Sequence, residues 1–191
     1  MGLFSLDDGI LHFKSTNMQK IVLRYGLYAM LFIVALSALE FFVLTKLLSP
    51  TLQEVAGYLT MLLSMVFVFI GIRQYRDKCN NGQLSFGQGL KVGILIVLIP
   101  SVAFGLFDLL YTEVLHPGWV DEYYANYIAR IKASTPPAQL EAALQKANDQ
   151  KELFSNPLMQ FLLMSATVFI IGLIVTIISA LTLRRRKLAT A

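Results

Sequence analysis

Apolar residues gather into four long runs along the chain, at about Tyr25 to Leu48, Leu52 to Ile72, Val92 to Leu115 and Leu158 to Leu183. A hydrocarbon layer about 30 Å thick takes roughly 20 helical residues at about 1.5 Å each, and each run is long enough to cross it. The fourth run holds no charged residue, whereas the first carries Glu40 and Lys46 and the third carries Asp108 and Glu113. Pro50 interrupts the connection Ser49 to Thr51, which predicts an antiparallel hairpin of the first two spans. Between spans two and three, Asn80, Asn81 and Gly82 mark a turn, and Ser85 with Gln88 three residues on forms a capping box that opens a helix.

The segment from His116 to Asn156 has a different pattern. Val120, Tyr123, Tyr124, Tyr127, Ile128 and Ile131 repeat at the spacing of one helix face, and Leu140, Ala143, Leu144, Ala147 and Phe154 form a second. Between them Thr135 suits an N-cap and Pro136 the first helical position; Asn156 and Pro157 repeat that signature ahead of span four. The rings of Trp119, Tyr123, Tyr124 and Tyr127 suit a membrane interface, where an apolar body and a polar tip are both accommodated. The first of these helices is therefore expected along the outer membrane surface. Two roles stay open for it: a lid packed on the spans or on its partner helix, or a cap that binds a ligand or partner.

The pattern predicts an all-α integral membrane protein, a four-transmembrane-helix bundle with an extracytoplasmic amphipathic helical insertion between spans three and four. Residues 1–17 form an N-terminal tail, 18–187 the membrane domain and 188–191 a C-terminal tail. Composition agrees: 56% apolar and 15% charged residues in 191, with mean hydropathy +0.63, exceed what a soluble core needs.

Charge gives an orientation. Lys14, Lys20 and Arg24 precede span one, Arg73, Arg76, Lys78 and Lys91 lie between spans two and three, and Arg184, Arg185, Arg186 and Lys187 follow span four. The opposite side mixes Lys46, Arg130, Lys132, Lys146 and Lys151 with most of the acids. Both termini are thus expected in the cytoplasm. The net charge of +4 sits in clusters beside the spans, not in a patch interleaved with base-stacking aromatics. That points to membrane lipids, not nucleic acid, as partners. Met1 to Asn17 lacks the short apolar run and cleavage site of a signal peptide, and the single Cys79 excludes an intrachain disulfide.

Inside lipid, helices associate through close packing at small residues. Gly57, Ser64 and Gly71 recur every seventh residue in span two, as do Ser165, Gly172 and Ser179 in span four, predicting contacts within the bundle or between subunits. Gly89 and Gly93 form a GxxxG pattern, which is common by chance. Ionisable groups at membrane depth are functional candidates by default. Counting inward from Pro50 and from His116 puts Glu40 and Asp108 about 15 and 12 Å deep, so the two could meet, share a proton or bind a cation. The alternative is hydration near the headgroups, or bonds to Ser37, Tyr111, Thr112 or Thr167. Glu113 and His116 are spaced to form an interfacial salt bridge. The chain has no HExxH, GxSxG or phosphate-binding loop and no zinc-ligand spacing, so no catalytic residue, metal or cofactor is expected.

Several short motifs in order, Met18-Gln-Lys-Ile-Val-Leu-Arg-Tyr-Gly26, Phe69-Ile-Gly-Ile-Arg-Gln-Tyr-Arg-Asp77, Leu84-Ser-Phe-Gly87 with Lys91-Val-Gly93, Asn156-Pro-Leu158, and Gly172-Leu-Ile-Val with Ile178-Ser-Ala180, resemble a bacterial domain-of-unknown-function family, number 4199. The resemblance covers about Met18 to Lys187 and implies a small inner-membrane protein with no established activity. It also implies a start near Met18, and an acid and a proline in span four where this chain has Thr167 and Ile170. The expected function is a non-enzymatic accessory or scaffold subunit of the bacterial inner membrane, associating as a homo-oligomer or with another membrane protein. The alternative is a small oligomeric transporter or channel using Glu40 and Asp108, with Thr167 in the same polar set.

Overall fold

A helix satisfies its backbone polar groups internally, which hydrocarbon requires of any single spanning segment, and the computed structural model is helical accordingly. It describes residues 4–43 and 47–185, with side chains over 17–43, 47–49 and 51–185. The helices are α1 (Phe4–Phe42), α2 (Pro50–Ser64), α3 (Val66–Gln74), α4 (Phe86–Leu110), α5 (Trp119–Ser134), α6 (Pro137–Phe154) and α7 (Pro157–Thr182). π-helical turns extend α3 over Tyr75–Cys79 and α4 over Tyr111–Leu115. Four helical stretches are long and apolar enough to cross a membrane: Asn17–Phe42, Thr51–Cys79, Phe86–Leu115 and Pro157–Thr182. The chain is an all-α, multi-pass membrane protein.

The helix ends depart from the apolar runs. α1 starts at Phe4, so helix continues through the segment expected to be a tail, and it stops at Phe42 instead of Leu48. Glu40 therefore lies in the last turn of α1, not about 15 Å inside it. Hydropathy registers composition, and the composition stays apolar past the point where the helix stops. Lys46 and, at the C-terminus, Arg186, Lys187 and the expected tail 188–191 lie outside the described residues. The second span runs past Ile72 through Arg73 and Arg76, then ends where the Gly82 N–H donates to the Arg76 carbonyl at 2.9 Å. Asn81 (φ 51°) and Gly82 (φ 74°) supply the left-handed turn there. This span also tightens at Met65, whose N–H donates to the Leu62 carbonyl at 3.1 Å, while Ser64 Oγ donates to the Met61 carbonyl at 2.6 Å.

Two of the three predicted caps form as read. Gln88 Oε1 accepts from the Ser85 N–H (3.0 Å) while the Gln88 N–H donates to Ser85 Oγ (3.2 Å). Asn156 Oδ1 accepts from the N–H groups of Leu158 and Met159 at 3.0 and 3.2 Å. The third shifts: Thr135 closes α5 by donating its N–H to the Ile131 carbonyl, and α6 opens at Pro137. A residue before proline is excluded from helical ψ, so Pro136 (ψ 145°) stays extended and Pro137 takes the first helical position.

The chain divides into two compact units. In the first, Met1–Ala103 with Thr167–Ala191, α1 packs against α2, α3 and its π turn, with the rings of Tyr28 and Phe32 edge-on to Phe67 at 6.1 and 5.7 Å. Ile33, Met65, Val68, Ile72, Ile96 and Val97 are its buried centre. Here α4 and α7 meet in antiparallel steps of four residues: Gly89 on Ala180, Gly93 on Thr176, Val97 on Gly172. The Gly89/Gly93 pattern is thus a close helix contact. A two-hydrogen-bond bridge between Leu84 and Arg185 (3.0 and 3.1 Å) closes the pair at one end. In the second unit, Phe104–Ala166, α5 packs on α6, with Tyr124 against Phe154 and Lys151 Nζ 2.7 Å from Asp121.

Candidate functional site: a buried polar cluster

The second unit buries a carboxyl group. Asp108, on the last turns of α4, is 3% exposed. Thr112 follows one turn later, and its hydroxyl donates to the Asp108 carbonyl at 3.1 Å. Gln160 projects from the first turn of α7, and its Nε2 donates to Asp108 Oδ2 at 2.7 Å and to Thr112 Oγ1 at 2.9 Å. Thr112 and Gln160 are 4% and 1% exposed, so the whole cluster is out of solvent. The remaining amide oxygen, Gln160 Oε1, is buried without a hydrogen-bond donor. A carboxyl and an amide in this arrangement hold two spans together through polar contacts that hydrocarbon strengthens against water competition.

Glu40 is placed separately, in the first unit, where its Oε1 accepts from the Thr60 hydroxyl of α2 at 2.5 Å. Glu40 and Asp108 therefore each have a partner inside their own unit. Of the partners that the sequence offers the acid, Thr112 bonds only the Asp108 backbone carbonyl; the donor to the carboxyl is Gln160, which the sequence reading does not single out. The signal lay in the run itself, because Gln160 is a lone amide in the first turn of the span with no charged residue. Thr167 is half-buried in the first unit. Among the described residues no three His, Cys, Asp or Glu side chains converge as metal ligands.

The small-residue stripes point into the chain's own packing. A Cβ on Gly71 would lie 2.5 Å from Ile96 and 3.2 Å from Tyr25, and one on Gly172 would lie 2.5 Å from Val97 and 2.9 Å from Met65. Ser165 Oγ sits against Gly105. Ser64 and Ser179 are buried and donate to carbonyls of their own helices, while Gly57 has Glu40 Oε2 at 4.0 Å as its nearest neighbour.

Trp119, Tyr123 and Tyr127 recur at i, i+4, i+8 on α5 and stack ring on ring, at 5.2 and 6.2 Å. The Arg130 guanidinium lies 5.7 Å from the Tyr127 ring centre, and Tyr111 meets Trp119 edge-on at 6.4 Å. The predicted Glu113–His116 pair is replaced. The π turn carries the His116 N–H back to the Tyr111 carbonyl (2.7 Å), and the ring faces Tyr111 Oη at 3.3 Å and Glu122 at 3.5 Å. One extra residue in a turn rotates the following side chain off the face that i, i+3 spacing assumes.

Tyr124, on the same helix, points into the α5–α6 contact and is 5% exposed. Burial, with Tyr123 and Tyr127 beside it, pushes its phenol up to about 12. Its folded value exceeds the unfolded one, about 10. The stabilisation it gives is complete below pH about 10 and is lost as pH rises through about 12. Ultraviolet difference titration of wild type against Tyr124→Phe should show the missing transition near 12. A difference centred near 10 would mean the ring is hydrated.

The family model described as "Protein of unknown function (DUF4199)" matches residues 24–185. No curated protein and no solved structure matches the chain. The matched region holds all four spans apart from the start of the first, and with them the Asp108–Gln160 cluster and the α5–α6 pair. The chain belongs to the DUF4199 family of proteins of unknown function.

Proposed function

We propose that the chain is a non-enzymatic accessory or scaffold subunit of the bacterial inner membrane, with both termini cytoplasmic and α5 and α6 on the far side. The observation that carries this reading is the contrast between occupied and uncovered faces. The small residues of spans two and four already serve contacts within the chain. By contrast, only 17% of the most apolar window of α7 is buried, against 50% for the third span. Ile170, Ile174, Ile178 and Leu181 lie open along α7 as a smooth apolar face for a neighbouring membrane protein. The orientation is supported by the basic ends and by the Leu84–Arg185 bridge, which puts the α3–α4 loop and the end of α7 on one side.

A photo-crosslinking residue at Ile174 or Ile178 in native membranes tests the reading. A stoichiometric foreign membrane protein is expected; lipid adducts alone would sink it. A second reading, a small oligomeric transporter, is favoured by one observation, the donorless Gln160 Oε1 beside Asp108, which is a vacant acceptor for a proton carrier or cation. It requires a pure homo-oligomer whose ion flux in liposomes is abolished in Asp108→Asn.

A further inference from the structure

A cleft of about 220 Å³ opens in the first unit where α1 passes the π turn that ends the second span. Lys20 and Arg24 line it from α1, and Lys78 lines it from the π turn. Its floor is Ile21, buried, with Gln74 and Cys79 beside it. Three cations are thus brought to one concavity by two different helices. Among the described residues no carboxylate lies within ion-pair distance of any of them. The nearby Asp77 is engaged by Arg76 at 2.6 Å and by Arg73 at 3.8 Å.

The depth of the cleft decides what it holds. Lys20 and Arg24 come just before the first apolar run, which opens at Tyr25, and Lys78 follows the second, which closes at Ile72, so all three belong at the end of the hydrocarbon, where lipid phosphates lie. Like charges held together with no counter-charge among the described residues call for an anion, and the anion always present at that depth is the phosphodiester of a phospholipid. We infer that this cleft is a binding site for the headgroup of an anionic phospholipid. Its phosphate is held by Lys20, Arg24 and Lys78. Arg24 offers a fork of N–H donors to two phosphate oxygens, while the two lysines act as point charges. The acyl chains leave along the exposed Leu23 and Leu27 of α1.

The test is native mass spectrometry of the full-length protein in detergent, titrated with phosphatidylglycerol, phosphatidylcholine and, in separate samples, water-soluble glycerol 3-phosphate. Phosphatidylglycerol is expected to bind stoichiometrically and the other two far more weakly. Each basic residue near the anionic layer contributes about fivefold, so Arg24→Gln should lose about fivefold and the Lys20/Arg24/Lys78→Gln triple roughly 100-fold. Lys91→Gln, which removes one exposed charge on the same side but outside the cleft, should leave binding unchanged. Equal losses in Arg24→Gln and Lys91→Gln would overturn the site in favour of diffuse surface attraction. Binding of glycerol 3-phosphate as tight as that of the lipid would overturn the lipid as its source. If the triple variant fails to fold, the two single variants still decide between these outcomes.

Discussion

Gln160→Leu should lower stability by about 2–3 kcal/mol, because it strips both donors from a carboxyl and a hydroxyl that have no access to water. Polar contacts between membrane helices average well below 1 kcal/mol, so a loss of this size would mark the cluster as the main polar tie in the second unit. Asp108→Asn preserves an acceptor oxygen for Gln160 and should cost less than about 1 kcal/mol. Replacing Asp108 and Gln160 together by Leu should recover most of the loss, since two apolar partners leave neither group unsatisfied. Reversible unfolding in mixed micelles measures all three. A change below about 0.5 kcal/mol for Gln160→Leu would show that the bonds to Asp108 and Thr112 are not made.

The second large effect is expected at Gly93. A Cβ there would overlap Thr176 Cγ2, stand 2.8 Å from its Oγ1 and 3.0 Å from Ile72 Cδ1. Gly93→Ala should therefore cost about 1–3 kcal/mol by forcing α4 and α7 apart, although alanine is the better helix former. Thr176→Ala removes the obstructing methyl together with a buried hydroxyl that has no partner, so it should be near neutral alone and should rescue Gly93→Ala. Gly87→Ala is the control: it is on the same helix with nothing within 4 Å of the added carbon, and should be neutral or slightly stabilising. Failure of Thr176→Ala to rescue would mean that the helices do not meet at this pair.

The spans and most of the caps were legible because they depend on local properties. A window of about eighteen predominantly apolar residues can be read without knowing any neighbour, and so can an Asn beside a Pro. The partners of the polar residues were not legible for the same reason. The sequence offers Asp108 nearby hydroxyls and Glu40, yet the partner of its carboxyl is a residue 52 positions away whose face on α7 depends on how the helices pack. The stripes show a related limit. Seven-residue spacing identified Gly71 and Gly172, but the α4–α7 contact advances in steps of four, through Gly89 and Gly93, which the pattern alone could not separate from chance. His116 escaped because a π turn changes the phase of the helix without leaving a trace in composition.

Four-residue steps make the α4–α7 contact nearly self-similar. With glycines at 89 and 93 on one helix and small residues at 172, 176 and 180 on the other, sliding α7 by one turn, about 5.4 Å, would again set small residues against small residues. Side-chain packing alone is a weak ruler along such a seam. The Leu84–Arg185 bridge removes the ambiguity, because its two backbone hydrogen bonds exist at one axial setting and vanish at the next. It works as a vernier stop: the glycine seam decides that the two helices meet closely, and the bridge decides at which notch.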